Sequence, residues 1–193
     1  MDTQDIRTLK ILEAIDGQES PSQRDLAQSL NVSLGLVNSF VRRLAKKGYF
    51  KVTHLPRNRI HYILTPKGAA EKSRLTYTYI QLSLHFYKDA RGKFRELFKN
   101  LECQGLKKIA FFGAGDMAEI GCLSIQETSL ELVAIADPNR KIDKCLDMPI
   151  ILPEALHRYG FERVIITSID LTPQEAMAII EGVSIPRASI LTL

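Results

Sequence analysis

Through the first hundred residues apolar positions recur three or four apart; beyond them they gather into short continuous runs. Ile6, Leu9, Leu12 and Ile15 sit three apart and stop at Gly17, which predicts an amphipathic helix closed by a glycine. In SPSQRDLAQSL, Ser20 as cap, Pro21 in the first turn and Gln23 completing a capping box predict a second helix that buries Leu26, Ala27 and Leu30. NVS reads as a turn of three residues. Ser33 then caps a third helix, SLGLVNSFVRRLAKKG, whose Val37, Phe40, Val41 and Leu44 form one stripe before Gly48. Phe50 and Val52, then Ile60, Tyr62 and Leu64, alternate as two strands about the turn LPRNR. Thr65 and Pro66 open a further helix that runs to about Leu101. Its stripe is Leu75, Tyr79, Leu82, Phe86, Ala90, Phe94, Leu97 and Leu101, with Gly92 as a break point. At ~1.5 Å per residue it spans roughly 50 Å, more than a small domain covers, so the stripe is expected to be a dimer surface.

The second half has another rhythm. LKKIAFF, LELVAIAD, MPIIL, ERVIITS and ASILTL read as buried strands, and GAGDMAEI, PEALHRYG and DLTPQEAMAIIEG as the intervening helices, the last with a Thr172/Glu175 capping box. Such alternation predicts an open parallel α/β sheet of about five strands. The expected layout is an α+β domain over 1–70, a linker and dimerisation helix over 71–104, and an α/β domain over 105–193.

Charge separates the halves. Residues 1–101 hold 18 Lys and Arg against 9 Asp and Glu, while residues 102–193 hold 8 against 13. Between Asp25 and Glu71 there are eight basic residues and no acid, which points to a polyanionic partner for the first half. On the third helix, Gly35, Asn38, Ser39, Arg42, Arg43 and Lys46 lie away from the apolar stripe. Two helices joined by a tight turn, the second polar and basic outside, form a helix-turn-helix whose second helix enters the DNA major groove. Ser33, Asn38 and Arg42 are candidates for base edges; Arg42, Arg43, Lys46 and Lys47 suit phosphates. The residues VSLGLVNSFVRRLAKKGYF and RNRIHYILTPKG resemble bacterial MarR-type winged-helix regulators associated with exopolysaccharide gene clusters. That resemblance implies a wing carrying Arg57 and Arg59 into the adjacent minor groove, and a role in polysaccharide or sugar-nucleotide gene control.

The stretch KKIAFFGAGDMAEI has the order of a dinucleotide fingerprint: strand, glycine turn with Gly113 and Gly115, then helix with Ala118 in the third place. Asp137, 22 residues past Gly115, ends the next strand where a ribose acceptor is expected. Gly113, Ala114, Gly115, Asp116, Met117, Asp137, Thr167 and Ser168 are therefore expected around one effector crevice. KKIAFFGAGDMAEI, LELVAIADPNR and RVIITS are similar to the Rossmann-like N-terminal domain of sugar-nucleotide acyltransferases, and the two-part layout resembles the Rex repressors. These resemblances imply a nucleotide effector, a sugar nucleotide or NAD(H). Asp116 at the helix start opposes a bound phosphate, which favours the sugar nucleotide over NADH.

Only 56 residues follow Asp137, most of them sheet, and they contain no acid/base pair of the reductase type, nucleophile elbow or metal-spaced His/Cys group. The expectation is a non-enzymatic, homodimeric, cytoplasmic and nucleoid-associated regulator. A small sugar-nucleotide or NAD(P)-dependent enzyme with a DNA-binding module is the alternative, and a pure interaction protein is a third reading. The unpaired Cys103, Cys122 and Cys145 fit a reducing compartment.

Overall fold

The structure is a computed structural model that describes residues 1–17, 21–55, 59–139 and 144–193, with backbone alone at positions 54, 55 and 59. The chain divides into two compact units, Met1–His85 and Phe86–Leu193. The division falls inside one helix, between two consecutive residues, and not at either of its ends.

In the first unit, helices α1 (Thr3–Asp16), α2 (Gln23–Leu30) and α3 (Leu34–Lys46) precede an antiparallel hairpin, β1 (Phe50–Leu55) and β2 (Arg59–Leu64). The core unites the stripes: Leu12, Ile15, Leu26, Val37, Phe40, Val41, Leu44, Phe50 and Tyr62, together with Ile11, which the three-residue spacing of α1 passes over. Phe50 and Tyr62 meet edge to face at 5.4 Å, fixing the root of the hairpin against the helices. The cap of α2 differs from expectation. Ser22 holds the Asp25 N–H through Oγ at 3.2 Å, and the Asp25 carboxylate accepts the Ser22 N–H at 2.8 Å. The helix therefore begins after Ser22, because Ser22 and Asp25 have the spacing for a reciprocal cap; Ser20 lies outside the described residues.

Helix α4 (Pro66–Cys103) follows directly. The Thr65 hydroxyl accepts the Gly68 N–H at 3.1 Å and donates to the Gly48 carbonyl at 2.6 Å, tying the first turn of α4 to the end of α3. Gly68 is pressed so closely against this junction that an added Cβ would stand 1.8 Å from the Tyr49 carbonyl oxygen. Gly92 does not interrupt the helix.

In the second unit, β3 (Lys108–Phe112), β4 (Glu131–Ala136), β6 (Met148–Ile151), β7 (Arg163–Ile166) and β8 (Ile190–Thr192) run parallel. A two-residue strand β5 (Lys144–Cys145) pairs antiparallel with β6 at the edge, so the sheet is mixed, in the order β5-β6-β4-β3-β7-β8. Two residues are too few to carry an alternation, which is why sequence reading passes over β5. Helix α5 (Asp116–Ile125) links β3 to β4, and α6 (Pro173–Gly182) links β7 towards β8. The segment after β6, expected as a helix, is a six-residue 3-10 turn (Pro153–Arg158).

Alternation along β3 separates two apolar layers. Ile109 and Phe111 join Ile135 and Ile165 on one face; Ala110 and Phe112 join Val164, Ala176 and Ile180 on the other. Ala90, Phe94, Phe98 and Leu101 of α4 complete the first layer and are buried there, so this half of the expected dimer stripe is core. Glu127, just past α5, accepts hydrogen bonds from Arg91 and Arg95 and clamps α4 beside it. By contrast, Tyr79, Leu82 and Phe86 stay exposed, along with Tyr77, Ile80 and Leu84. Among the described residues no helix is long and apolar enough to cross a membrane.

Replacing Gly68 with Ala forces a methyl group into the Tyr49 backbone. Urea unfolding of Gly68→Ala followed by circular dichroism is expected to show a loss of about 1–3 kcal/mol, the usual cost of overpacking; unchanged stability would refute this junction.

Candidate functional site

The first candidate surface is the outer side of α3. At about 100° per residue, Gly35, Asn38, Ser39, Arg42 and Lys46 fall within one arc of the helix, opposite Val37, Val41 and Leu44. Gly35, Ser39, Arg42 and Lys46 are exposed and Asn38 is half-buried. The connection is short because Asn31 adopts a left-handed conformation (φ 50°) and Val32 N–H returns to the Ala27 carbonyl. Ser33 Oγ accepts the Leu36 N–H at 3.3 Å, so this residue, expected at a base edge, serves as the helix cap. Arg43 stands apart from the arc: its Nη1 donates to Gln4 Oε1 at 3.0 Å, and its guanidinium lies 4.5 Å from the Phe40 ring centre. It braces α3 against α1, a role that a charge count along the helix does not reveal. Arg57 lies outside the described residues; Arg59 begins β2 at the root of the wing turn.

The second candidate surface is the carboxyl edge of the sheet. Gly113 leaves β3 with φ 112°, and an added Cβ would sit 2.3 Å from the Ser168 backbone nitrogen, so the turn and the segment after β7 are in direct contact. Thr167, almost fully buried, bridges the same two segments by donating to the Gly113 carbonyl at 2.6 Å. Asp137 is turned inward: its carboxylate accepts the Ala114 N–H at 2.8 Å and the Asn139 N–H at 2.7 Å. The residue expected to receive a ribose hydroxyl thus closes the glycine turn onto the end of β4. Ala114, Gly115, Asp137, Ser168 and Asp170 line a small hollow of about 50 Å³ there. Two of its walls are carboxylates, and Asp116 opens α5 beside it, so the hollow suits hydroxyl or cationic groups better than phosphate. Met117, Thr167 and Ser168 also line a larger cavity of about 400 Å³ on the other side. Six of the eight expected effector residues are therefore shared between two adjoining spaces, while Gly113 and Asp116 line neither, and the larger space was not legible because α4 supplies one of its walls.

Residues 4–51 match the family of winged helix-turn-helix DNA-binding domains. The match covers about a quarter of the chain and includes α1, α2 and α3 up to the start of β1. No curated protein matches the chain. Among solved structures, MepR, a transcription regulator of the Staphylococcus aureus multidrug efflux pump MepA, is 20% identical, covers 46% of this chain and 65% of its own, and has a TM-score of 0.40. The zinc-dependent MarR family transcriptional regulator AdcR is 23% identical over 47% of this chain and 61% of its own, with a TM-score of 0.38. PcaV from Streptomyces coelicolor is 18% identical over 53% and 74%, with a TM-score of 0.38. The chain thus spans less than two thirds of the length of MepR and AdcR. TM-scores this low fix neither the family of the whole chain nor a ligand.

All three cysteines are free. Burial, with Cys145 alongside, pushes the Cys122 thiol up to about 12, and burial raises Cys145 as well, so both side chains act as apolar filling rather than nucleophiles. Among the described residues no three His, Cys, Asp or Glu side chains gather as metal ligands.

Gly113 and Gly115 are expected to respond oppositely to substitution. A Cβ at Gly115 meets nothing within 4 Å, so Gly115→Val leaves thermal unfolding close to that of the parent. Gly113→Val combines the strained φ with the Ser168 clash and lowers stability by about 2 kcal/mol or more, read as a fall in melting temperature. Equal effects at both positions would refute the turn geometry.

Proposed function

We propose that this chain is a DNA-binding transcriptional regulator of MarR type whose C-terminal unit, a Rossmann-like sheet, senses a small molecule and performs no chemistry of its own. The observation that carries the proposal is the exposed, acid-free basic arc of α3 within a segment that matches winged helix-turn-helix DNA-binding domains. Asn38 and Arg42 are placed to read base edges, Asn bidentately on adenine and Arg on guanine, with Gly35 and Ser39 allowing close approach. Lys46 and Lys47 take phosphates, Arg43 orients the helix, and the wing arginines Arg57 and Arg59 follow the minor groove. The protein acts at the nucleoid, in the cytoplasm.

Support for sensing comes from the strand order. The direction of winding reverses between β3 and β7, and ligands of open α/β sheets bind outside the carboxyl ends of strands at such a reversal. Gly113 to Met117, Asp137, Thr167 and Ser168 flank that point. A nucleotide-type effector, a sugar nucleotide or NAD(H), enters with its hydroxyls towards Asp137 and Asp170 and its phosphates away from these carboxylates. Effector coupling of about 1–3 kcal/mol alters operator affinity some 5–150-fold.

Support for a homodimer comes from α4. No Asp, Glu, Lys or Arg occurs between Arg74 and Lys88. Tyr77, Ile80 and Leu84 are exposed on one side of this segment, and Tyr79, Leu82 and Phe86 on the opposite side. A helix apolar on two sides requires covering on both, which a second copy of α4 and its neighbours provides. Two recognition helices then address half-sites about 34 Å apart.

Two measurements test this reading. Fluorescence anisotropy with duplex DNA from the gene's own upstream region is expected to show binding that weakens with salt; Arg42→Ala lowers the slope of log affinity against log salt by about one. No retention of DNA at about 50 mM salt, where non-specific contacts are strong, overturns the proposal. Light scattering is expected to give twice the chain mass for the parent and a single chain mass for Leu82→Glu with Leu84→Glu, which charges both sides of α4; a monomeric parent or a dimeric variant overturns the dimer.

A further inference from the structure

Two large apolar side chains stand in water at the start of α3. Leu34 is 45% exposed and Leu36 is 37% exposed, whereas Val37, Phe40, Val41 and Leu44 of the same helix are buried. Gly35 lies between them, near the middle of the outward arc, and a Cβ added there would meet nothing within 4 Å. At about 100° per residue the leucines therefore project to either side of an open notch. The first turn carries no charge, and the basic side chains of the helix begin at Arg42. Ser33 Oγ accepts the Leu36 N–H at 3.3 Å, so the backbone that presents both side chains is held by its cap.

A helix-turn-helix presents the N-terminal residues of its second helix to base edges. Cα–Cβ bonds of a helix tilt towards its N-terminus, so Leu34 and Leu36 lead α3 into the groove. On the major-groove edges of the four bases the one apolar group is the C5 methyl of thymine; the other features accept or donate hydrogen bonds. An exposed leucine at this place has that methyl as its complement, and contact removes apolar surface of both from water. Arg42 and Lys46 continue the arc from Gly35, so whatever covers the leucines also meets two exposed cations, as a polyanionic duplex does. Leu34 lies one turn before Asn38 on the same side of the helix, beside the residue assigned above to adenine.

We infer that Leu34 and Leu36 are specificity-determining residues that read thymine methyl groups in the major groove, with Leu34 on a thymine next to the adenine of Asn38 and Gly35 admitting the base-pair edge between the two side chains. The first turn of α3 selects thymines by apolar contact, and Asn38 and Arg42 select purines by hydrogen bonding. This inference rests on the DNA-binding role proposed above and adds the base features which that role reads.

The probe is a duplex enriched from a random library by the full-length protein, then synthesised once with thymine and once with deoxyuracil throughout, a change that removes only the C5 methyls. Fluorescence anisotropy at one salt concentration is expected to show the parent at least about fourfold weaker on the uracil duplex, the factor that corresponds to about 0.8 kcal/mol for one buried methyl-sized group. Leu34→Ala with Leu36→Ala weakens binding to the thymine duplex and abolishes the difference between the two duplexes; circular dichroism verifies that this variant, altered only at exposed positions, keeps its fold. An effect of duplex flexibility alone penalises parent and variant alike. Equal affinity of the parent for both duplexes, or the same preference in parent and variant, overturns the assignment and leaves the regulator reading standing; failure to enrich any duplex overturns both. A change in the variant's chain stoichiometry without DNA, read by light scattering, assigns the leucines to a protein contact and likewise overturns it.

Discussion

Phe94 and Phe98 of α4 pack onto Phe111 of β3, with ring centres 6.0 and 6.4 Å away, and the C-terminal unit depends on that contact. A five-stranded parallel sheet must be covered on both faces. Here α6 and the 3-10 turn cover one face, but on the other the sheet's own sequence supplies only the short α5. The missing cover is the end of α4, and burying each phenylalanine contributes about 1.5–3 kcal/mol. The boundary between the units consequently falls inside a continuous helix, because the residues from Phe86 onward have the sheet as their core.

That constraint shapes both candidate ligand spaces. The glycine turn after β3 is closed by its own chain: Asp137 takes the Ala114 N–H, Thr167 reaches the Gly113 carbonyl, and Ser168 abuts Gly113. Backbone groups that a phosphate would use are partly satisfied from within, at an edge rich in carboxylates. A larger cavity opens where α4 passes the ends of β7 and β8, lined by α4 residues as well as by the sheet.

The first unit follows a simpler logic. Its three helices and hairpin close around one core, and the polar side of α3 is left outward because its apolar side is committed to that core. The Thr65 and Gly68 junction fixes the start of α4 on the end of α3, so α4 begins where α3 stops.

Periodicity alone determined most of the elements. The stripe of α3, the alternation of β1 and β2 and the continuous apolar runs of β3, β4 and β7 are local statements about which side of an element avoids water, and each was read correctly. The outer face of α3 was legible in part: Gly35, Ser39, Arg42 and Lys46 face outward opposite the buried stripe, whereas Arg43 turns to Gln4 and Phe40. Tertiary structure decided what local pattern leaves open. One apolar stripe along α4 reads the same whether it meets a partner or the chain's own sheet; only the folded chain shows Ala90, Phe94 and Leu101 buried and Tyr79, Leu82 and Phe86 exposed. Likewise, spacing placed Asp137 correctly at the end of β4, but the direction of its carboxylate, inward to Ala114, depends on how the turn closes. The large cavity has walls from residues far apart in sequence, and no pattern along the chain encodes a space between them.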